Sequence, residues 1–397
     1  MKNCNNQKTI LITDASMRIA LCVIRSLGKR GVKIIAVESK DILLSENIGF
    51  KSKYIYKKYI ISSKKNKKQY LDDIIKISKK CDCLMPIHFQ TIELISQNIN
   101  LFKHIKTLVP NIEKLEESNN TYKLLKLAQK ISVPIPKTYF IDDLEQIENI
   151  LPEIKFPIII KVRKEENILP NKRHIIVYKK ENFIDSYKEL HSIQKYPIIQ
   201  EYIKGKGVGF FALYNKNSQT KALFCHERLR EYPITGGPST LCKSIYDKEL
   251  IKYGKKILDK LKWQGVAMVE FKQEYSTGEY KLMEINPRFW GSLPLAVESG
   301  VNFPYLLYKS INDEDFNSIK KYKNGVKLRF LVTDSISALS HLRNKHFKQF
   351  FYFVRDLFNP KIKEGVISLF DLKPTWPYLK KYFDYFLDSI NVWKRKN

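Results

Sequence analysis

Apolar residues recur along this chain in two rhythms, and the switches between them outline its elements. Thr9-Ile10-Leu11-Ile12-Thr13 is a short β-branched run, and a helical spacing through Ala20, Val23, Ile24 and Leu27 follows it. Gly31 marks the end of that helix, and Val32-Lys33-Ile34-Ile35-Ala36-Val37-Glu38 predicts a second strand. An amphipathic helix over 71–77 and a strand over 83–87 continue the alternation, which predicts an α/β layer with a parallel sheet. One helical stretch covers 112–129, and Val133-Pro134-Ile135-Pro136 is then held extended by its prolines. A helix after Tyr139 precedes strands at 157–162, 174–178, 198–203, 209–214 and 221–227, and the next helix spans 248–261. Two strands, 265–271 and 280–286, read as a hairpin turned at Ser276-Thr277-Gly278. After Phe303 the pattern is helical, with a strand at 326–332 and aromatic, lysine-rich helices to the end.

Composition changes this picture little. The chain has 397 residues, 44% of them hydrophobic, which suits a folded protein of more than one domain. No apolar run approaches the roughly 20 residues needed to cross a bilayer, and Lys2 is followed by no apolar leader, so the expected location is the cytoplasm. Six cysteines (Cys4, Cys22, Cys81, Cys83, Cys225 and Cys242) form no C-x-x-C pair and read as small buried hydrophobes. The formal charge of +29 admits anionic partners, but no basic helix with interleaved aromatics organises it. A lysine- and isoleucine-rich compositional bias accounts for it, and Lys64-Lys65-Asn66-Lys67-Lys68 reads as a solvated loop before a helix. The first strand–turn–helix is Rossmann-like, yet Asp14-Ala15-Ser16-Met17-Arg18 has no glycine, which argues against a dinucleotide site. This layer is read as structural, one wall of a substrate site at most.

The chemistry concentrates in the 265–288 hairpin. Glu270 and Glu284 fall on neighbouring strands facing one side, and Asn286, two residues on, points the same way. Two carboxylates and an amide oxygen are hard ligands suited to magnesium, which takes its remaining ligands from phosphates and water. Arg288 follows with a fork that fits a carboxylate or phosphate. The same alternation also fits the wet face of an edge hairpin, and both readings stay open at this level.

"GVAMVEF" followed by "KLMEINPRFWGS" resembles the metal-binding core of the ATP-grasp superfamily. "NNTYKLLKLAQKISVPIPKTY", "FPIIIKVR", "PIIQEYIKGKGVGFFALY" and "HERLREYPITGGPSTLCKSI" are similar to its other segments, in order, so the likeness covers about 112–310. The resemblance implies three segments: a Rossmann-like domain at 1–111, a two-subdomain ATP-grasp domain at 112–310 with its lid near 135–203, and a helical, aromatic extension at 311–397. ATP would lie between the subdomains, contacted by Lys123 and Lys161, with Gln200, Glu201, Tyr202 and Ile203 cupping adenine. Glu270, Glu284 and Asn286 would hold Mg2+, or Mn2+ in its place.

The implied reaction belongs to a carboxylate–amine ligase of the carbamoyl-phosphate-synthetase-like kind, acting on a small-molecule carboxylate and an amine. The carboxylate attacks the γ-phosphate, and a nucleophile displaces the acyl phosphate. Arg288, Arg228 and His226 are the candidates to steady that intermediate, though His226 and Arg228 also fit plain surface positions. Gly236-Gly237-Pro238-Ser239 fits either a phosphate-binding turn or an ordinary one. Two departures stand out. The stretch after Lys161, "KVRKEENILPNKRHII", has no glycine, leaving Arg163, Lys172 or Arg173 to supply charge. No acidic residue stands near Lys206-Gly207 for the ribose hydroxyls. A missing glycine flap and biotin-acceptor segment argue against a biotin-dependent carboxylase. The family also makes a homodimer an expectation. Rival readings are a non-catalytic ATP-binding regulator and a basic binder of membrane surface or nucleic acid, with membrane contact made through "FKQFFYFVRDLF" and "YLKKYFDYFLDSINVWKRKN". Nucleic acid is the less favoured of these, and peripheral membrane contact is not the leading reading.

Overall fold

The computed structural model describes residues 8–164, 168–234 and 236–380. Cys4, part of the stretch after Lys161 and the last predicted aromatic helix beyond 380 lie outside them.

The chain starts with β1 (Thr9–Ile12), α1 (Arg18–Gly28), β2 (Lys33–Ser39), β3 (Ile55–Ile61), α2 (Lys67–Ser78), β4 (Cys83–Met85), α3 (Phe89–Gln97) and β5 (Lys106–Thr107). Its five strands make one parallel sheet in the order β3-β2-β1-β4-β5, the expected α/β layer. The unforeseen β3 is an edge strand. Its Lys57 and Lys58 hide the strand in the sequence and also guard that edge against further pairing.

The predicted 112–129 helix is two helices, α4 (Ile112–Asn119) and α5 (Thr121–Lys130). Asn120 breaks it by taking an extended conformation and capping α5 through Lys123 N–H, at 3.0 Å. The break is also where the next layer attaches, since Thr121 N–H donates to the Arg163 carbonyl at 2.7 Å. That layer holds β6 (Thr138–Tyr139), α6 (Gln146–Ile150), β7 (Ile158–Lys161), β8 (His174–Val177), α7 (Phe183–Ile193) and β9 (Ile198–Glu201). Its antiparallel sheet runs β6-β9-β7-β8, and Ile158, Ile160, Phe183, Tyr187 and Ile199 give it a small core of its own.

The rest is built on β10 (Gly205–Tyr214), β11 (Thr220–Glu231), β12 (Ser239–Ile245), α8 (Lys248–Lys260), β13 (Gly265–Glu274), β14 (Tyr280–Asn286), α9 (Leu293–Glu298), α10 (Phe303–Ile311), β15 (Lys327–Arg329), α11 (Leu331–Arg343), α12 (Phe347–Leu357) and β16 (Ile362–Glu364). Seven strands join in the order β14-β13-β10-β11-β12-β15-β16. The stretch after 310, expected as a helical extension with one strand at 326–332, contributes two strands to this sheet, β15 at that place and β16.

Alternation sorts the sheet's two faces. Phe210, Ala212, Val269 and Phe271 pack with Leu250 and Ile257 of α8 on one side. Phe211, Leu213, Phe224 and Met268 share the opposite core with α9, α10 and Ile10, Ile12 and Ile24 of the first layer. The N-terminal layer is thereby fixed against the large sheet. Asp371 adds a polar tie, accepting from Arg25 Nε at 2.9 Å, Ser52 Oγ at 2.8 Å and Lys53 N–H at 3.0 Å. Among the described residues no helix is long and apolar enough to cross a membrane.

Candidate functional site

The face that is apolar at Phe211, Leu213 and Met268 turns polar toward one end of the sheet. On β10 the positions facing this end are Gly207 and Gly209, and the strands around them carry His226, Arg228 and Glu270. Side chains from outer strands cross over the bare backbone of β10. A Cβ at Gly207 would fall 2.8 Å from Arg228 Cδ, and one at Gly209 would fall 3.3 Å from His226 Cδ2. The glycines are what let Arg228 Nη2 on β11 reach Glu270 Oε2 on β13 at 2.6 Å.

A β-bulge completes the set. Glu270 pairs with Glu284 while its neighbour Phe271 pairs with Leu282, so Met283 is an extra residue on β14. Without that residue Glu284 would continue the phase of buried Tyr280 and Leu282 into the α8 core. With it, Glu284 and Asn286 share the face of Glu270, as expected from sequence. Asn286 Nδ2 donates to Glu284 Oε1 at 2.6 Å, and Arg288 Nη2 donates to Asn286 Oδ1 at 2.9 Å.

Burial pushes the Glu270 carboxyl above its ordinary range; Arg228 opposes this and the neighbouring Glu284 charge reinforces it. Two carboxylates that repel across a strand pair are a demand for positive charge. No group of three or more His, Cys, Asp or Glu suited to a metal occurs among the described residues. A two-carboxylate, one-amide set instead fits a cation that keeps most of its ligands from phosphate and water.

Arg228 also approaches Glu231 Oε2 at 3.7 Å. Lys272, which sequence reasoning passed over as one lysine among many, donates from Nζ to the Ile203 carbonyl at 3.2 Å, with its ammonium 5.2 Å from the Tyr202 ring centre. Burial depresses its pKa despite Glu231 and Glu270 nearby. Glu231, Gly205, Gly207 and Arg228 line a recess of about 440 Å³ at the start of β10.

A larger cavity, of about 700 Å³, opens at the other end of the set. Glu284, Asn286 and Arg288 form one wall, Arg173 of the β6–β9 layer reaches it, and Lys64, His88 and Thr91 of the first layer close it. The N-terminal wall is thus a substantial part of the cavity. Its lysine loop had read as plain solvated chain; only the fold brings it to Arg288.

The remaining expected residues fall as follows. Lys161 ends β7 in the lid sheet opposite His174 and is not among the cavity's lining residues. Gln200 is buried, its amide donating to Thr138 Oγ1 at 2.9 Å, and Glu201 accepts from Lys137 N–H at 2.7 Å. Ile203 is buried, next to Tyr202. Lys123 is exposed on α5 and lines an outer groove with Glu113, Glu116 and Glu117, away from the cavity. His226 sits in the core behind Arg228, with Nδ1 3.0 Å from Ser292 Oγ and its ring edge-on to Phe211. Burial, aided by Arg228, pushes its pKa down to about 3, so it is a neutral group there. The 236–239 turn is tight: a Cβ at Gly237 would fall 2.3 Å from the Tyr232 carbonyl oxygen.

The chain is similar to several known proteins. Residues 217–333 match the family "ATP-grasp in the biosynthetic pathway with Ter operon". The carbamoyl phosphate synthase large chain of Pyrococcus furiosus is 24% identical over 279 residues, covering 66% of this chain and 26% of the relative. That of Methanobrevibacter smithii is 23% identical over 210 residues, covering 50% of this chain and 19% of the relative. Over this stretch the chain is similar to ATP-grasp proteins, and its fold is theirs. It spans about a quarter or less of the length of these curated relatives. Among solved structures, N5-carboxyaminoimidazole synthetase from Staphylococcus aureus complexed with ADP superposes with a TM-score of 0.65 at 14% identity, covering 85% of this chain and 86% of that one. Biotin carboxylase from Campylobacter jejuni, as a β-γ-ATP complex, gives 0.62 at 18% identity, covering 81% and 74%. The ATP-grasp architecture thus extends over nearly the whole chain.

Proposed function

We propose that this protein is an ATP- and magnesium-dependent ligase that activates a small-molecule carboxylate as an acyl phosphate and joins it to an amine or similar nucleophile. The observation that carries the reading is the bulge-phased set of Glu270, Glu284 and Asn286, with Arg228 and Arg288 beside it, at the wall of a 700 Å³ cavity. The ADP and ATP complexes among its structural neighbours support the nucleotide. Glu270, Glu284 and Asn286 would hold magnesium, which when bound neutralises phosphate charge.

The nucleotide would run from the hinge at Glu201–Ile203, over the bare face of Gly207, to this set. Glu231, facing that recess, is the acid positioned for the ribose hydroxyls in place of the one absent at Lys206-Gly207. Lys161 would approach the phosphates when the lid closes. Arg288 would orient the substrate carboxylate, whose oxygen attacks the γ-phosphorus as ADP leaves. The amine then attacks the acyl carbon, phosphate departs, and the amine proton passes to phosphate or solvent. Arg228 opposes the burial that favours the protonated form of Glu270, and His226 supports Arg228 from behind as a neutral group.

Hydroxylamine trapping tests this directly. With ATP, Mg2+ and a panel of carboxylates, at least one acid should stimulate ADP release and yield a hydroxamate. Nucleotide binding without hydroxamate from any acid in the panel would favour a regulator over a ligase.

A further inference from the structure

The first layer supplies a built cationic wall to the cavity. Asp14 is fully buried at the end of β1 and adopts φ 57°, a conformation uncommon outside glycine. Four groups converge on its carboxylate: Thr13 Oγ1 at 2.5 Å, Lys64 Nζ at 2.5 Å, His88 N–H at 3.0 Å and Thr91 Oγ1 at 3.0 Å. These bonds tie the loop after β3 to the start of α3. They point Lys64, His88 and Thr91 into the space shared with Arg288. His88 Nδ1 accepts from Gln90 N–H at 3.4 Å, which leaves Nε2 as the donor of the neutral ring. Its ring feels the charges of both Lys64 and Arg288.

The charge of this cavity is unbalanced. Lys64, Lys65, Lys67, Arg173 and Arg288 line it, against Glu93 and Glu284, with Asp14 buried behind Lys64. Glu284 belongs to the metal set. Among the described residues, Lys65 and Lys67 make no ion pair, and Arg288 binds only the Asn286 amide and the Phe289 carbonyl, at 2.9 Å each. One cationic pole therefore stands at the reacting end and another on the first layer. A monocarboxylate would satisfy only one of them.

Resting on the ligase reading above, we propose that the substrate held in this cavity is a dianion: one carboxylate at Arg288 for activation, and a second anionic group on Lys64, Lys65 and Lys67. Asp14 is the positioning residue that aims Lys64. The second group is a carboxylate or a phosphate, both of which the lysine ammonium groups accept.

Calorimetry on the full chain, saturated with Mg2+ and a non-hydrolysable ATP analogue, tests this with acetate, succinate and 3-phosphoglycerate as probes. Succinate or 3-phosphoglycerate should bind at least about tenfold more tightly than acetate, and the tighter of the two identifies the second group. Lys65→Ala with Lys67→Ala should remove most of that advantage while acetate and nucleotide binding hold. Lys79→Ala with Lys80→Ala, an equal charge loss on exposed α2-end positions, should leave the advantage intact. Equal affinity for acetate and both dianions, or equal losses in the two double variants, would overturn the proposal. Absence of nucleotide binding in the same cell would instead overturn the ligase reading beneath it.

Discussion

Arg228 and Arg230 stand two residues apart on β11, yet their charges are handled in opposite ways. Leu229 is an extra residue at a bulge, which turns the two side chains to different neighbours. Arg230 is buried among acids from the C-terminal helices: Asp334 bonds Nε at 2.9 Å and Nη2 at 2.7 Å, and Asp356 bonds Nη1 at 2.7 Å. Thr240 Oγ1 donates to Asp334 at 2.8 Å, a third bond to the same carboxylate. Arg228 instead meets Glu270, whose neighbour Glu284 is partly exposed and repels it. A closed, matched network stabilises a fold. An open one with surplus like charge stands ready for a ligand.

The sharpest way to break this comparison is to cut one acid from each network. Asp334→Ala should cost about 3–5 kcal/mol of folding stability, because it strands a buried guanidinium. Nucleotide affinity of the protein that remains folded should hold. Glu284→Gln, at an exposed site, should change stability by no more than about 0.5 kcal/mol, measured by urea unfolding. If Glu284→Gln unfolds the protein and Asp334→Ala does not, the assignment of roles is reversed.

Gly207→Ala comes next. Its Cβ must displace Arg228 from the strand it crosses, with an expected cost of about 1–3 kcal/mol and a lower nucleotide affinity. An unchanged affinity would mean that the Arg228–Glu270 contact does not matter to binding.

A pH series sharpens the electrostatic side. The Glu270 pKa is raised in the metal-free protein, so the folded state holds its proton to higher pH than the unfolded chain. That contribution to stability is present below the ordinary glutamate value of 4.5 and is lost as pH rises through the raised folded value. Protons and magnesium compete for the same oxygens, so magnesium-dependent nucleotide binding should weaken on acidification at a pH above 4.5. Calorimetry across that range should show proton release on metal binding. A flat profile would remove Glu270 from the metal set.

The smallest expected effect belongs to Glu231→Gln. Losing one charged acceptor for the ribose should weaken ATP binding roughly fivefold, about 1 kcal/mol, and leave triphosphate binding alone unaffected.

Much of this was legible in the residues, for identifiable reasons. The hairpin of Glu270, Glu284 and Asn286 announces itself because alternation and a short turn fix its pairing locally. The β14 bulge was not legible, since Leu282-Met283-Glu284 alternates acceptably without one. β3 and β12 were missed because lysines, or a neighbouring glycine-rich turn, mask their strand character. The helix break at Asn120 looked like helix interior, and only its bond to the lid reveals its purpose. The Asp14–Lys64–His88 cluster joins residues far apart in sequence, so no spacing rule could find it. Lys123 shows the converse: a motif placed it at the nucleotide, while the fold places it on an outer groove.

On the proposed function, Glu270, Glu284 and Asn286 make nucleotide binding depend on magnesium. Calorimetric titration of the wild-type protein and of Glu284→Ala with ATP, each with and without Mg2+, tests it most directly. Wild type should bind ATP with an affinity that rises on adding Mg2+, and Glu284→Ala should lose most of that increment while remaining folded. Equal magnesium dependence in the two proteins, or no nucleotide binding by wild type, would contradict the account.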